Sequence, residues 1–267
     1  MKKKYKRIVV KVGTSTLTYP NGELHLRNME RLVAVLSDIK NSGVEVVLVS
    51  SGAISVGVSR LKMPYRPAEL RLKQAAAAVG QCRLMHLYDK MFAEYNKIVA
   101  QILLTREDVD NGEREENLVS TFRALLELNA IPIVNENDSV SINEIQNVHG
   151  FGDNDTLSAV VAALCEADLL VLLSDIEGLY TGNPRTDANA TLIKRVDEIT
   201  SDIIAVAGGA GSSRGTGGMQ TKLEAAKIAM EKGIDMVITN GAYPERLYDI
   251  IENKEVGTFF AGRNKNV

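Results

Sequence analysis

Arg7-Ile8-Val9-Val10-Lys11-Val12-Gly13-Thr14-Ser15 reads as a β-branched apolar strand that runs directly into a glycine and two hydroxyl residues. The run lacks clean polar alternation, the pattern of a strand covered on both faces of a sheet. Residues 44–49, 98–103, 131–134, 168–173 and 235–239 have the same character. Between the first two runs, Met29, Leu32, Val33, Leu36 and Ile39 fall at helical spacing, and Gly43 follows as a stop signal. Residues 67–95 are expected to form two helices meeting near Gly80, and residues 116–128 another helix. This β-α-β rhythm predicts an α/β fold: a three-layer αβα sandwich around a central, largely parallel sheet.

Ligands of such sheets bind beyond the carboxyl ends of the strands. The residues that follow the strands are therefore candidate site residues. They are Lys11, Gly13, Thr14 and Ser15; Ser50, Ser51, Gly52 and Ala53; Asn135, Glu136, Asn137 and Asp138; Ser174 and Asp175; and Gly241. The loop ahead of the next helix adds Gly150, Gly152, Asp153, Asn154 and Asp155. Each turn by itself is also explained by ordinary turn and capping chemistry. Their concentration on one edge of one sheet favours a phosphate-bearing ligand and a small polar substrate.

Gly215-Thr216-Gly217-Gly218-Met219-Gln220-Thr221-Lys222 joins a glycine-rich turn to a lysine at a helix start. Glycine lets backbone N–H groups approach an anion, and a helix N-terminus adds partial positive charge. Thr221 is the expected N-cap, with Glu224 at capping-box spacing. A glycine-rich surface loop with a solvated lysine is the competing reading of this string alone. The Gly- and Ser-rich stretch 205–218 fits a loop over a nucleotide better than a domain linker.

Several familiar motifs fail. Gly211-Ser212-Ser213-Arg214-Gly215 has the spacing of a hydrolase nucleophile elbow, but no strand precedes it, and His25, His86 and His149 all lie upstream. Neither a Walker A string nor a strand-linked G-x-G-x-x-G occurs. Two glycine-flanked lysines remain, Lys11 and Lys222, with acids at Asp138, Asp155 and Asp175. That set suits phosphoryl transfer, which needs positioning and charge neutralisation more than covalent chemistry. If the acceptor is a carboxylate, with a pKa of about 4, no general base is required.

The 267 residues, 45% of them hydrophobic, are enough for one large domain. A net charge of −3, from 31 basic and 34 acidic residues spread along the chain, gives no field that recommends nucleic acid or an anionic membrane. Lys2, Lys3, Lys4, Lys6 and Arg7 read as a solvated terminus. Cys82 and Cys165 lack paired spacing and are expected to be small core residues. No apolar run reaches the ~20 residues of a membrane span, and no secretory core follows the basic start. A cytoplasmic protein is expected. Residues 109–116 read as either an exposed regulatory loop or a solvated connection, the latter favoured.

These motifs, in this order, resemble the amino acid kinase family, and within it the glutamate-phosphorylating branch, from about Ile8 to about Gly262. The carriers are Val10 to Ser15, Val49 to Ile54, Ala76 to Gln81, Asn135-Glu136-Asn137-Asp138, Phe151 to Ala159, Ser174 to Thr181, and Gly215 to Lys222. The resemblance implies transfer of the ATP γ-phosphate to the side-chain carboxylate of L-glutamate, giving L-glutamyl 5-phosphate, the first step of proline synthesis. It implies Lys11 and Lys222 as phosphoryl-stabilising residues oriented by Asp155, and Ser51, Asp138 and Asn154 as glutamate-binding residues. It places ATP at Lys11, Ser174, Asp175 and the stretch Thr216, Gly217, Gly218, Met219, Gln220, Thr221 and Lys222. Mg2+ would bridge the phosphates, with no protein ligand assigned. A homo-oligomer inhibited by proline is also implied.

The sequence departs from the family pattern in two ways. Residues 1–267 are expected to be the kinase domain without the C-terminal PUA domain of many members. Asn183 stands where relatives often have Asp, so no metal or nucleotide role is carried over to it. Two alternatives stay open. One is a kinase of the same fold for aspartate, N-acetylglutamate, carbamate or a nucleoside monophosphate; the other is a nucleotide-sensing regulatory protein. Asp138 is the residue expected to choose among acceptors.

Overall fold

The computed structural model describes residues 5–141, 151, 153–207 and 218–263. The chain begins with β1 (Arg7–Val12), α1 (Thr14–Leu17), α2 (Leu26–Asn41), β2 (Glu45–Val49), α3 (Ala53–Arg60) and α4 (Leu70–Ala93). It continues with β3 (Val99–Leu104), α5 (Arg106–Asp110), α6 (Gly112–Glu127), β4 (Ile131–Glu136), α7 (Asn154–Leu164) and β5 (Leu169–Ser174). The last elements are β6 (Arg195–Val196), α8 (Ser201–Ala207), α9 (Met219–Glu231), β7 (Asp235–Asn240), α10 (Arg246–Ile251) and β8 (Thr258–Phe260).

The described strands form one sheet in the order β3-β4-β2-β1-β5-β7-β8-β6. Every pairing is parallel except that of β7 with β8. Alternate side chains of each strand enter opposite cores. Val9, Val47, Val49, Leu170 and Leu172 pack beneath α6, α7 and α9, whereas Ile8, Val10, Val46, Leu48 and Val171 pack beneath α2, α3, α4 and α10. The sandwich expected from the sequence is thus the observed fold, and the six anticipated strands are present. Lys11 shares the parity of Val9, so its side chain rises on the α7–α9 face one residue before β1 ends.

Two expectations about helices need correction. Gly80 does not separate two helices, because α4 runs unbroken from Leu70 to Ala93. The glycine is a contact point between helices. A Cβ on Gly80 would lie 1.8 Å from the carbonyl oxygen of Ala53, and one on Gly57 of α3 would lie 1.7 Å from that of Ala76. Two helical glycines therefore let α3 and α4 cross backbone to backbone. Second, residues 109–116 are largely exposed, as expected of a solvated segment, but they are the end of α5 and the start of α6, so the helix expected over 116–128 already begins at Gly112. Thr105 and Asp108 form a reciprocal capping box for α5, and the Asn111 side chain caps α6, so two adjoining caps make the local structure. Cys165 is buried as expected, but Cys82 is exposed on α4. No described helix is long and apolar enough to cross a membrane.

The glycine crossing makes a prediction with a decisive sign. In an ordinary mid-helix site Gly→Ala stabilises by about 0.5–1 kcal/mol. Gly57→Ala and Gly80→Ala should instead destabilise by at least ~1–3 kcal/mol through overpacking against backbone. Urea unfolding of each variant measures this; an unchanged or raised midpoint would contradict the crossing.

Candidate active site

The carboxyl ends of β1, β2, β4, β5 and β7 lie on one edge, and the sequence-predicted residues gather there. Their centre is Asp155, on the first turn of α7, only 1% exposed. Lys11 Nζ lies 2.5 Å from its Oδ1 and Lys222 Nζ 2.9 Å from its Oδ2. Both lysines are buried as well. Thr221 Oγ1 donates to Asp155 Oδ2 at 3.1 Å and to the Gly218 carbonyl at 2.9 Å. Residues far apart in the chain thus meet because β1 and α9 flank α7 on the same face.

Burial alone would raise the Asp155 carboxyl pKa, but Lys11 and Lys222 more than offset it and bring the group to about 2. Placement at a helix N-terminus also favours the anion. The triad holds one negative and two positive charges in a poorly solvated place. Its surplus positive charge is what a phosphoryl group would neutralise.

Gly218 is the N-cap of α9 and supplies no side-chain cap, so the expected cap at Thr221 is corrected: the helix begins three residues earlier than that cap implied, at Met219. Thr221 turns to Asp155 and to the Gly218 carbonyl instead. The uncapped N–H groups of the first turn suit an anion. Met219 and Lys222 are buried here, while Gln220 is exposed. Thr216 and Gly217, with Gly152, His149 and the 211–215 string, lie outside the described residues.

Asn154, adjacent to Asp155, serves the other half of the site. Its Nδ2 lies 2.7 Å from the Ser50 carbonyl, 2.9 Å from Ser51 Oγ and 2.9 Å from Asn135 Oδ1. Ser51 is not a helix cap, since Gly52, at φ +90°, holds that position of α3. Asn154 is not the cap of α7 either. Asp153 fills that role, its Oδ1 accepting from the N–H groups of Asp155 at 2.6 Å and Thr156 at 3.2 Å. Asp138 is half-buried in the turn after β4, on the same edge.

Ser174 ends β5 with its Oγ 3.3 Å from Asp175 Oδ1, and Arg185 pairs with the other Asp175 oxygen at 3.3 Å. Asn183 Oδ1 accepts from the Arg185 N–H at 3.0 Å, so its side chain serves the turn. Glu177, which pairs with Arg246, accepts from Asn240 Nδ2 at 2.9 Å and ties the ends of β5 and β7 together. Ser50 and Asn135, candidates by their place after strands, and Gln81, at the end of a family motif, receive no specific role from the sequence; all three belong to the network. Asn135 Nδ2 donates to Gln81 Oε1 at 2.9 Å, and Ser50 Oγ lies 3.0 Å from the Tyr88 hydroxyl. A buried glutamine directly after the packing glycine of an alanine-rich helix was the available signal.

Among the described residues no three His, Cys, Asp or Glu side chains cluster as a metal cage. Both Asp155 oxygens face lysine. This donor set fits Mg2+ arriving on nucleotide phosphates, as Mg2+ commonly does, rather than a resident ion.

The depressed Asp155 pKa fixes a direction for acid stability. Its folded value, about 2, lies below the usual carboxylate value of about 3.9. The stabilisation is complete above that usual value and is lost as pH falls through the folded one. Asp155→Asn should therefore destabilise by about 3–5 kcal/mol at pH 7, because two buried ammonium groups lose their anion. The gap between the two proteins should narrow by on the order of 2 kcal/mol between about pH 5 and pH 2. Urea unfolding across that range checks it, and a gap independent of pH would contradict the ion-pair account.

The chain matches glutamate 5-kinase of Clostridium perfringens at 57% identity over 258 residues, 97% of this chain and 96% of that protein. It matches glutamate 5-kinase of Listeria innocua at 51% over 263 residues, covering 98% and 95%. Among solved structures, T. acidophilum isopentenyl phosphate kinase superposes with a TM-score of 0.66 at 18% identity, covering 95% of this chain and 99% of that one. Carbamate kinase from Giardia lamblia bound to AMP-PNP gives a TM-score of 0.66 at 18% identity, covering 96% and 98%. At that identity the likeness is one of fold. The model of the amino acid kinase family matches residues 6–240, and with the relatives above this establishes that the chain belongs to that family.

Proposed function

We propose that this protein transfers the γ-phosphoryl group of ATP to the side-chain carboxylate of L-glutamate, with Lys11 and Lys222 gripping the group in flight. The observation that carries the residue assignment is the buried Lys11–Asp155–Lys222 triad. Relatives at 57% and 51% identity, matched along nearly their whole length, support glutamate as acceptor. A carboxylate oxygen attacks Pγ, the bond from Pγ to the β–γ bridging oxygen breaks, and ADP leaves with that electron pair. The acceptor, with a pKa of about 4.3, is already ionised at neutral pH, so no residue need remove a proton. Asp155 is kept ionised and holds both ammonium groups in place. Mg2+, carried on ATP, reduces the negative charge of the phosphates.

In this reading the start of α9, from Gly218 to Lys222, receives the phosphates together with Thr216 and Gly217, and Ser174 and Asp175 border the nucleotide. Ser51, Asn154 and Asp138 hold glutamate. With its nitrogen engaged by three acceptors, Asn154 keeps its Oδ1 at the opposite end of the amide, where it suits the α-ammonium group of an amino acid. Residues 1–267 act as one catalytic domain in the cytoplasm. Assembly into a homo-oligomer and inhibition by proline complete the reading, on the strength of the family resemblance.

Hydroxylamine converts an acyl phosphate to a hydroxamate and therefore reports reaction class and acceptor together. With ATP, Mg2+ and a panel of amino acids, hydroxamate is expected with L-glutamate alone; equal product with aspartate or N-acetylglutamate would overturn the assignment. Lys11→Met and Lys222→Met should each lower kcat by at least a hundredfold, about 2.7 kcal/mol, with the fold retained. Near-normal turnover in either would remove that lysine from the mechanism. Asp138→Ala should raise the glutamate KM much more than the ATP KM, and an equal rise in both would count against its assignment to glutamate.

A further inference from the structure

We infer that Gln81, on α4, is a positioning residue that steadies the acceptor half of the site through Asn135 and Asn154. This rests on the reading of that half as the amino acid subsite. A carboxamide has one accepting and one donating end, and either can be turned toward a neighbour. Asn135, only 2% exposed, turns its Oδ1 toward two donors, the Glu136 N–H at 3.0 Å and Asn154 Nδ2 at 2.9 Å. Its own Nδ2 donates to Gln81 Oε1 at 2.9 Å. Were Asn135 reversed, its NH2 would face the Glu136 N–H and the Asn154 NH2, donor against donor, and its Oδ1 would confront Gln81 Oε1. The Glu136 N–H, a backbone donor that cannot turn round, sets the orientation of Asn135, and Gln81 Oε1 satisfies the other end of that amide; Asn135 Oδ1 and the Ser50 carbonyl together then hold the Asn154 NH2.

The scaffold explains why a helix outside the substrate contacts can do this. Gly80 and Gly57 let α4 approach α3 and the β2–α3 turn at backbone distance, bringing the adjacent Gln81 against the end of β4. Two turns later Tyr88 braces Ser50 by the 3.0 Å contact between their hydroxyls. Ser50 in turn offers its carbonyl to Asn154 at 2.7 Å. One face of α4 thus supports both loops that meet at Asn154. Removing the Gln81 acceptor leaves the buried Asn135 Nδ2 without that partner and loosens the amide that helps to hold Asn154, whose Oδ1 is then less well placed for the ammonium group of the acceptor.

Two variants separate polarity from packing. Gln81→Met keeps approximate size but removes the amide oxygen, whereas Gln81→Glu keeps an oxygen for Asn135 Nδ2. With the carboxylate acceptor that the hydroxamate panel identifies, Gln81→Met should raise the acceptor KM at least tenfold and leave the ATP KM within about twofold. Gln81→Glu should keep the acceptor KM within about threefold of the parent protein. In the free protein, the side-chain amide resonances of Asn135 and Asn154 should shift in Gln81→Met and stay near their parent positions in Gln81→Glu. An unchanged acceptor KM in Gln81→Met, parallel rises in both KM values, or equal impairment of the two variants would overturn the inference. A panel answering only to an acceptor other than glutamate would overturn the proposed substrate, while Gln81 would be judged on that acceptor. If no panel member gives hydroxamate, the resonances decide, and their remaining unmoved in Gln81→Met would overturn the inference.

Discussion

The whole site depends on one carboxylate held between two ammonium groups in a place that water barely reaches. Asp155 keeps its charge because Lys11 and Lys222 overcome the penalty of burial, and its two oxygens stand between the two lysines. A buried group of this composition is a poor way to stabilise a fold by itself. On the proposed function it is a good way to prepare a cationic cradle, since positive charge is placed before the reaction begins and needs no rearrangement as phosphoryl charge moves.

The parallel sheet makes the cradle geometrically available. Strand parity sends the Lys11 side chain to the face shared by α7 and α9, and the first turns of those two helices deliver Asp155 and Lys222. Asn154 and Asp155, consecutive on α7, look to opposite halves of the site, one toward β2 and β4 and the other toward β1 and α9. On the proposed function, a disturbance of that first turn would be felt by both reactants. Asp153, which caps it, therefore has a supporting role that its exposure alone does not suggest.

The strands and the two lysines were legible in the chain because they rest on local signals: β-branched runs, glycine turns and the residues at strand ends; the choice of Asp155 among three candidate acids came from the family resemblance. The 80–81 dipeptide was not legible. Glycine in a helical pattern looks like a boundary until the partner backbone is seen at the distance that only glycine tolerates, and Gln81 acquires meaning only from Asn135, a residue 54 positions away. Thr221 misled for a related reason: its capping pattern is genuine in sequence, but its hydroxyl makes a tertiary bond to Asp155. The short strands β6 and β8 also escaped notice, since two and three residues carry no period, and β8 is fixed by its pairing with β7 and β6. The segment 109–116 is exposed as its charges suggested, but those charged residues hid the two caps that make it helical.

The most direct measurement is a crystal structure with ADP, Mg2+, L-glutamate and a planar metal fluoride standing in for the phosphoryl group in transfer. Lys11 Nζ and Lys222 Nζ should both reach hydrogen-bonding distance of the fluoride while each keeps its contact with Asp155. A fluoride bound beyond the reach of either lysine would contradict the account.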